Sequence, residues 1–67
     1  MKVLKLNDLN LKVTLDERII QISGAQNKTL IFRSKVLAYY WFFNLRTLAK
    51  TADRHAIQMM FATDNFK

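Results

Sequence analysis

The sequence contains no cysteine, no proline, one glycine (Gly24) and one histidine (His55). The absence of cysteine excludes disulfides and fits a reducing compartment. A single histidine is far short of the roughly four Cys or His ligands of a structural zinc site. A chain of 67 residues with neither kind of cross-link is near the lower size limit for a stable single core. We therefore expect one domain over residues 1–67, no metal, no cofactor, and self-association as the remaining source of stability.

Long hydrophobic runs are also missing. The longest extends from Val36 to Phe43, eight residues, whereas a transmembrane helix needs about 20. Lys2 and Lys5 interrupt the amino-terminal segment before it reaches the roughly 7 apolar residues of a signal peptide. These features predict a cytoplasmic protein that does not enter a membrane.

Residue patterns typical of enzymes are scarce. Asp53 and His55 could form an acid–base pair, but residues two apart on a helix do not face each other. The adjacent carboxylates Asp16 and Glu17 are better explained by a solvated hairpin turn. No Gly-rich phosphate loop and no nucleophilic cysteine are present. We expect no enzymatic activity, no catalytic residues and no small-molecule substrate.

The charge is strongly basic, with a formal net value of +6 at neutral pH. Both halves contribute equally, since residues 1–33 hold six basic and three acidic residues and residues 34–67 hold five and two. A diffuse positive charge favours acidic or polyanionic partners, although solubility alone also explains it.

Period-two alternation predicts three strands, at residues 9–15, 18–23 and 28–33, with residues 2–6 as a candidate fourth. Turn-forming Asn and Asp residues lie between residues 2–6 and the following strand, and Gly24 lies between the strands at 18–23 and 28–33. Such short connections indicate antiparallel neighbours and therefore a meander. The expected inward-facing residues of the second and third strands are Ile20, Ile22, Leu30 and Phe32.

A helix is predicted from Lys35 to about Lys50, with Ser34 as its N-cap. At about 100° per residue its side chains separate into three groups. The group expected to pack on the sheet is Leu37, Trp41, Leu45 and Leu48. A second, largely aromatic group is Val36, Tyr40, Phe43 and Thr47. The polar arc is Lys35, Tyr39, Arg46 and Lys50, and Phe42 falls on the flank of the core group without an evident cover.

The residues after Thr51 allow two interpretations. One continues the helix with heptad-like spacing. The other breaks it at Thr51–Asp53 and begins a short second helix capped by Asp53. The second is favoured, because in a continuous helix Ile57 would fall in the polar arc. The buried face of the second helix would be Ala56, Ile57, Met60 and Phe61. The fold class is thus α+β: a meander of three or four strands, a long helix on one face and a second short helical segment.

The row of five aromatic residues from Tyr39 to Phe43 is the most specific feature of the chain. Five consecutive helical positions span roughly 500°, so the rings cannot all face one core. Either the second helix covers Tyr40 and Phe43, or they contact a partner. We predict a protein-binding regulator or inhibitor that self-associates, with Tyr40 and Phe43 at the contact centre and Tyr39, Arg46 and Lys50 around it.

A nucleic-acid binder is the alternative. Its contacts would come from a basic sheet face and its surroundings, namely Lys12, Lys28, Arg33 and Lys35. The strands lack the exposed aromatic residues on which sheet-type RNA binders stack bases. In its shortness and its richness in Lys, Asn and Ile, the chain resembles small proteins of phages and mobile elements.

Overall fold

The computed structural model describes residues 1–51 and 53–62. Four antiparallel strands form one sheet in the spatial order β1-β2-β3-β4. They are β1 (Lys2–Leu6), β2 (Leu11–Asp16), β3 (Ile19–Gly24) and β4 (Lys28–Ile31), followed by helices α1 (Lys35–Lys50) and α2 (Arg54–Ala62). The predicted α+β class is confirmed, with residues 2–6 forming the fourth strand. Residues 63–67 of the expected single domain lie outside the described part.

The connections between strands set their register. The β1–β2 connection contains a 3₁₀ turn at Asn7–Leu9 and then Asn10 in the left-handed region. β2 consequently begins at Leu11, two residues after the predicted start at Leu9. Glu17 and Arg18 alone join β2 to β3, because Asp16 pairs directly with Ile19. Glu17 has a φ of 58°, as a tight hairpin with right-handed strand twist requires at its first loop residue.

The core lies between the inner face of the sheet and the two helices. Val13 and Ile20 are fully buried, and the alternation of their strands places every second side chain on this face. The predicted inward positions of β3 and the β4 segment are confirmed. The buried core residues are Leu6, Leu11, Val13, Leu15, Ile20, Ile22, Leu30, Phe32, Ala38, Phe42, Leu45, Ile57 and Phe61.

Helix α1 begins where predicted, and the backbone N–H of Leu37 donates to Ser34 Oγ at 3.2 Å. Its rotation about its own axis differs from the prediction. Ala38, Phe42 and Leu45 are the buried residues, whereas Leu37 is 37% exposed. The small side chain of Ala38 lets the helix backbone approach the sheet, and Phe42 fills the space beside it. The expected core position of Leu37 was therefore wrong, and Phe42, for which the sequence offered no evident cover, belongs to the buried core.

Helix α2 is separate from α1, as the favoured interpretation predicted. Asp53 Oδ1 accepts a hydrogen bond from the Ala56 backbone N–H at 3.1 Å, which caps the new helix. Ile57 and Phe61 are buried, while Ala56 and Met60 are half-buried. Ala52, within the predicted break, lies outside the described residues.

Candidate functional site

The exposed side of α1 carries a patch of large apolar residues. Val36 and Tyr40 are each 61% exposed, Phe43 is 49% exposed and Tyr39 is 46% exposed. Their spacing of three and four places them side by side on the helix surface. We call these four residues the aromatic face. The rings of Tyr39 and Phe43 are stacked, with centroids 6.3 Å apart, so part of the face is already ordered.

Helix α2 packs away from the aromatic face. Phe61 stacks on Trp41 with ring centroids 5.9 Å apart, and Trp41 in turn lies 6.1 Å from the ring of Phe32. The Lys28 ammonium donates a hydrogen bond of 2.8 Å to the Phe61 carbonyl oxygen, where a cation stabilises the carboxyl end of a helix. These contacts place α2 on the Trp41 side of α1. Within the described residues, no part of α2 covers Tyr40 or Phe43.

A shallow, open groove runs along the edge of the aromatic face. Its volume is about 510 Å³. The residues that line it are Met1, Lys2, Leu15, Glu17, Lys35, Val36, Tyr39 and Tyr40. The Lys2 ammonium lies 5.7 Å from the centroid of the Tyr39 ring, within the range of a cation–π contact. The groove therefore joins the first strand to the helix in one surface with an apolar floor and charged ends.

Positive charge predominates around this surface. Lys2, Arg46 and Lys50 are exposed, and the two helical cations follow Phe43 at spacings of three and seven. Among the described residues, Glu17 is the only carboxylate that lines the groove, and its Oε2 lies 2.8 Å from Lys35 Nζ. The hydrogen bond from Lys35, and then its charge, lower the pKa of Glu17, and the same contact raises the pKa of Lys35. The one acidic group is thus already neutralised within the protein.

The predicted protein-contact residues all lie on this side of α1. Tyr39, Tyr40 and Phe43 form the aromatic face with Val36, and Arg46 and Lys50 extend it toward the end of the helix. Sequence reasoning missed Lys2, because the pairing of Lys2 with Leu15 turns its side chain toward the helix rather than away from it. The signal available was the alternation with Leu4 and Leu6 in the candidate first strand.

The predicted nucleic-acid residues are not brought together. Lys28 is half-buried and bonded to the end of α2, and Lys35 is paired with Glu17. Lys12 lies opposite Ser23, near the end of β3. Arg33 comes just after β4, whose last residue, Ile31, lies opposite Ile19 at the start of β3. Lys12 and Arg33 consequently lie at opposite ends of the sheet.

Other site classes receive little support from the described part of the chain. His55 is exposed on α2, and the Asp53 carboxylate is engaged in capping. Residues 1–51 and 53–62 contain no group of three His, Cys, Asp or Glu side chains placed to hold a metal ion. Neither described helix has the length and apolarity needed to cross a bilayer.

Comparison with known proteins identifies no relative: no protein-family model, curated protein or solved structure matches the chain. What the protein binds is therefore inferred from its own surfaces.

Proposed function

We propose that this protein is a non-enzymatic binding module that docks on an acidic surface of a partner protein through the aromatic face of α1. The observation that carries the proposal is the continued exposure of Tyr40 and Phe43 after α2 has packed against Trp41. Three exposed rings on one side of a helix are unusual for a surface that contacts only water, and contiguous exposed apolar patches commonly mark interaction sites.

The composition of the surface fits an interface centre with a polar rim. Aromatic residues and arginine are the types most enriched where binding energy is concentrated. Tyr39, Tyr40 and Phe43 supply the rings, and Arg46 and Lys50 supply rim cations. An aromatic side chain can bury about 150–250 Å². Because Tyr39, Tyr40 and Phe43 are only 46%, 61% and 49% exposed, together they offer roughly 230–390 Å². That is about a third to a half of the roughly 800 Å² per partner of a standard interface.

Charge indicates the nature of the partner. Lys2, Arg46 and Lys50 surround the aromatic face, and Glu17, the one carboxylate of the described residues that lines the groove, is paired with Lys35. A partner that presents carboxylates around an apolar centre would pair with these cations, raise the association rate and fix the orientation of docking. Such a partner resembles an amphipathic acidic helix or the acidic rim of a hydrophobic cleft.

A homodimer through the same face is the second candidate. The patch is self-complementary in character, and a two-fold axis would place one aromatic face on another. Its rim charges argue against this arrangement, since cations would then oppose cations. Pairing through the β1 edge of the sheet is also disfavoured, because that strand carries Lys2 and Lys5.

Site-specific photocrosslinking tests the proposal. A photoreactive benzoylphenylalanine replaces Phe43 in one variant and Ile31 in a control variant; Ile31 is 58% exposed on the opposite face of the sheet. Both are irradiated in lysates of cells that naturally express the protein, with and without nuclease treatment. The expected result is a discrete, nuclease-resistant adduct with an acidic protein from position 43 alone, abolished by adding Tyr40→Ala.

Three other outcomes would contradict it. Identical adducts from positions 43 and 31, or none from either, would show that the aromatic face is not a specific docking surface. An adduct of twice the chain mass, together with a dimer in light scattering, would establish self-association instead. Loss of the adduct on nuclease treatment would point to nucleic acid as the bridge.

A further inference from the structure

The outer face of the sheet, opposite α1, places two lysines directly across from each other. Lys5 of β1 pairs with Lys12 of β2 in the antiparallel register, and both side chains are exposed. Directly opposed residues on one face have Cβ atoms about 4.5–5.5 Å apart, and like charges at that separation destabilise a sheet. The fold thus anchors two lysine side chains side by side at one corner of the sheet.

Neither lysine is neutralised by the described part of the chain. No ion pair or hydrogen bond engages the ammonium group of Lys5 or Lys12 among residues 1–51 and 53–62. Asp8 is three residues from Lys5 and lines a neighbouring depression with it, but its carboxylate is paired with Arg54, with Oδ2 3.8 Å from Arg54 Nη2. The like charges therefore remain uncompensated.

A depression lies beside the lysine pair. It has a volume of about 210 Å³, and the polar residues among those that line it are Lys5, Asn7, Asn10, Lys12 and Ser23. Within residues 1–51 and 53–62, no carboxylate lines the depression. Since a water molecule occupies about 30 Å³, the depression has room for a small anion with its ligands. Ammonium, amide and hydroxyl groups are all hydrogen-bond donors.

The polar rim of the depression is held rigidly. Asn10 N donates to Asn7 O at 3.1 Å, and Ala25 N donates to Asn10 O at 2.9 Å, so the β1–β2 turn is tied to the end of β3. Gly24 allows this close approach, because a Cβ at that position would lie 2.2 Å from Asn10 O. The donors around the depression therefore start from fixed backbone positions.

We propose that this corner is a binding site for a phosphate group with two negative charges, as in inorganic phosphate or a phosphate monoester. Such a group carries about −1.5 to −2 charges at neutral pH, which matches the two lysines, and its oxygens accept several hydrogen bonds. Chloride, a carboxylate or a phosphodiester carries one charge and would leave one of the two positive charges uncompensated. The site lies on the opposite face from the aromatic face and is independent of the docking proposed there.

Two-dimensional amide NMR with inorganic phosphate tests the site directly. Phosphate is titrated into the wild type, Lys12→Gln and Arg18→Gln at constant ionic strength, with chloride as the balancing anion. Arg18→Gln removes the same charge from the exposed hairpin at the other end of the sheet. The expected result is saturable shifts at residues 5, 7, 10, 12 and 23. The dissociation constant should rise tenfold or more in Lys12→Gln and change less than twofold in Arg18→Gln.

Thermal unfolding supplies a second readout. In phosphate-free buffer the melting temperature of Lys12→Gln is expected to be higher than that of the wild type, because one of the two opposed charges is gone. At saturating phosphate the wild type is expected to have the higher melting temperature. Glycerol phosphate and a short single-stranded oligonucleotide serve as monoester and diester probes. Non-saturable shifts, or equal dissociation constants in both variants, would overturn the site. Tighter binding of the oligonucleotide than of glycerol phosphate would replace the monoester assignment with nucleic-acid backbone binding.

Discussion

The indole of Trp41 stacks on the ring of Phe61, with centroids 5.9 Å apart and ring planes inclined at 30°. This contact joins the two helices and determines which side of α1 is left open. Because α2 packs against Trp41, it does not lie over Tyr40 and Phe43. The contact between Trp41 and Phe61 therefore stabilises the small domain and also leaves its proposed docking surface exposed.

Phe61→Ala is expected to destabilise the protein by about 3 kcal/mol, as is typical when a buried aromatic ring is removed. For a domain of this size, whose total stability is roughly 3–10 kcal/mol, such a loss is severe. Urea unfolding followed by Trp41 fluorescence measures it, with Gln58→Ala as an exposed control on the same helix. Equal midpoints for the two variants would show that Phe61 does not anchor α2.

The rotation of α1 can be tested with two leucines on the same helix. Leu45 is fully buried and Leu37 is 37% exposed. Leu45→Ala is expected to cost about 2–5 kcal/mol, and Leu37→Ala clearly less, because more than a third of Leu37 already contacts water. Denaturant unfolding of both variants provides the comparison. Similar losses would indicate the rotation predicted from the sequence, in which both leucines pack on the sheet.

The strands were predictable because alternation identifies the inner face without ambiguity. A residue in a strand points to one of two sides, and Val13, Ile20 and Ile22 could face only the core. The two helix starts were equally accessible, since Ser34 and Asp53 have side chains that cap a free backbone N–H.

The rotation of α1 could not be obtained in the same way. Apolar residues occupy nearly the whole circumference of this helix, so a stripe that includes Leu37 and one that includes Ala38 and Phe42 are both plausible. The observed stripe is rotated by roughly 60° from the predicted one. The choice depends on how closely the backbone can approach the sheet at Ala38, which is a tertiary property.

The two surfaces differ in how far the sequence reveals them. The exposure of Tyr40 and Phe43 follows from the helical spacing of α1 once α2 is known to pack on the Trp41 side. The opposition of Lys5 and Lys12 depends on register, and the turn between them contains a 3₁₀ segment and a left-handed Asn10. Their symmetric placement about the turn was the only sequence signal for this pairing.

Gly24→Ala is expected to destabilise the protein by about 1–3 kcal/mol. The φ of Gly24 is +110°, which L side chains rarely adopt, and the new Cβ would lie 2.2 Å from Asn10 O. Thermal unfolding checks the prediction, with Gln26→Ala as a control in the following turn. An unchanged melting temperature for Gly24→Ala would mean that the β1–β2 turn can move away from β3 without loss.

The ion pair between Glu17 and Lys35 predicts that the stability of the fold decreases at both low and high pH. The pKa of Glu17 is lowered below its usual 4.5, so the carboxylate stabilises the folded state above that value and loses this effect as the pH falls through the folded pKa. The pKa of Lys35 is raised above its usual 10.5, so its contribution is complete below that value and is lost as the pH rises through the folded pKa. Between these two pH ranges the ion pair makes its full contribution to the stability of the fold.

Glu17→Gln should therefore lower the unfolding midpoint at pH 7, and its difference from the wild type should shrink as the pH falls below 4.5. Both groups are exposed, so the effect is expected to be small and to weaken in high salt. Denaturant unfolding across pH measures it, and Asp16→Asn removes the adjacent carboxylate as a charge-matched control. If Glu17→Gln and Asp16→Asn gave the same profile at low and high salt, general charge balance rather than the contact with Lys35 would be responsible.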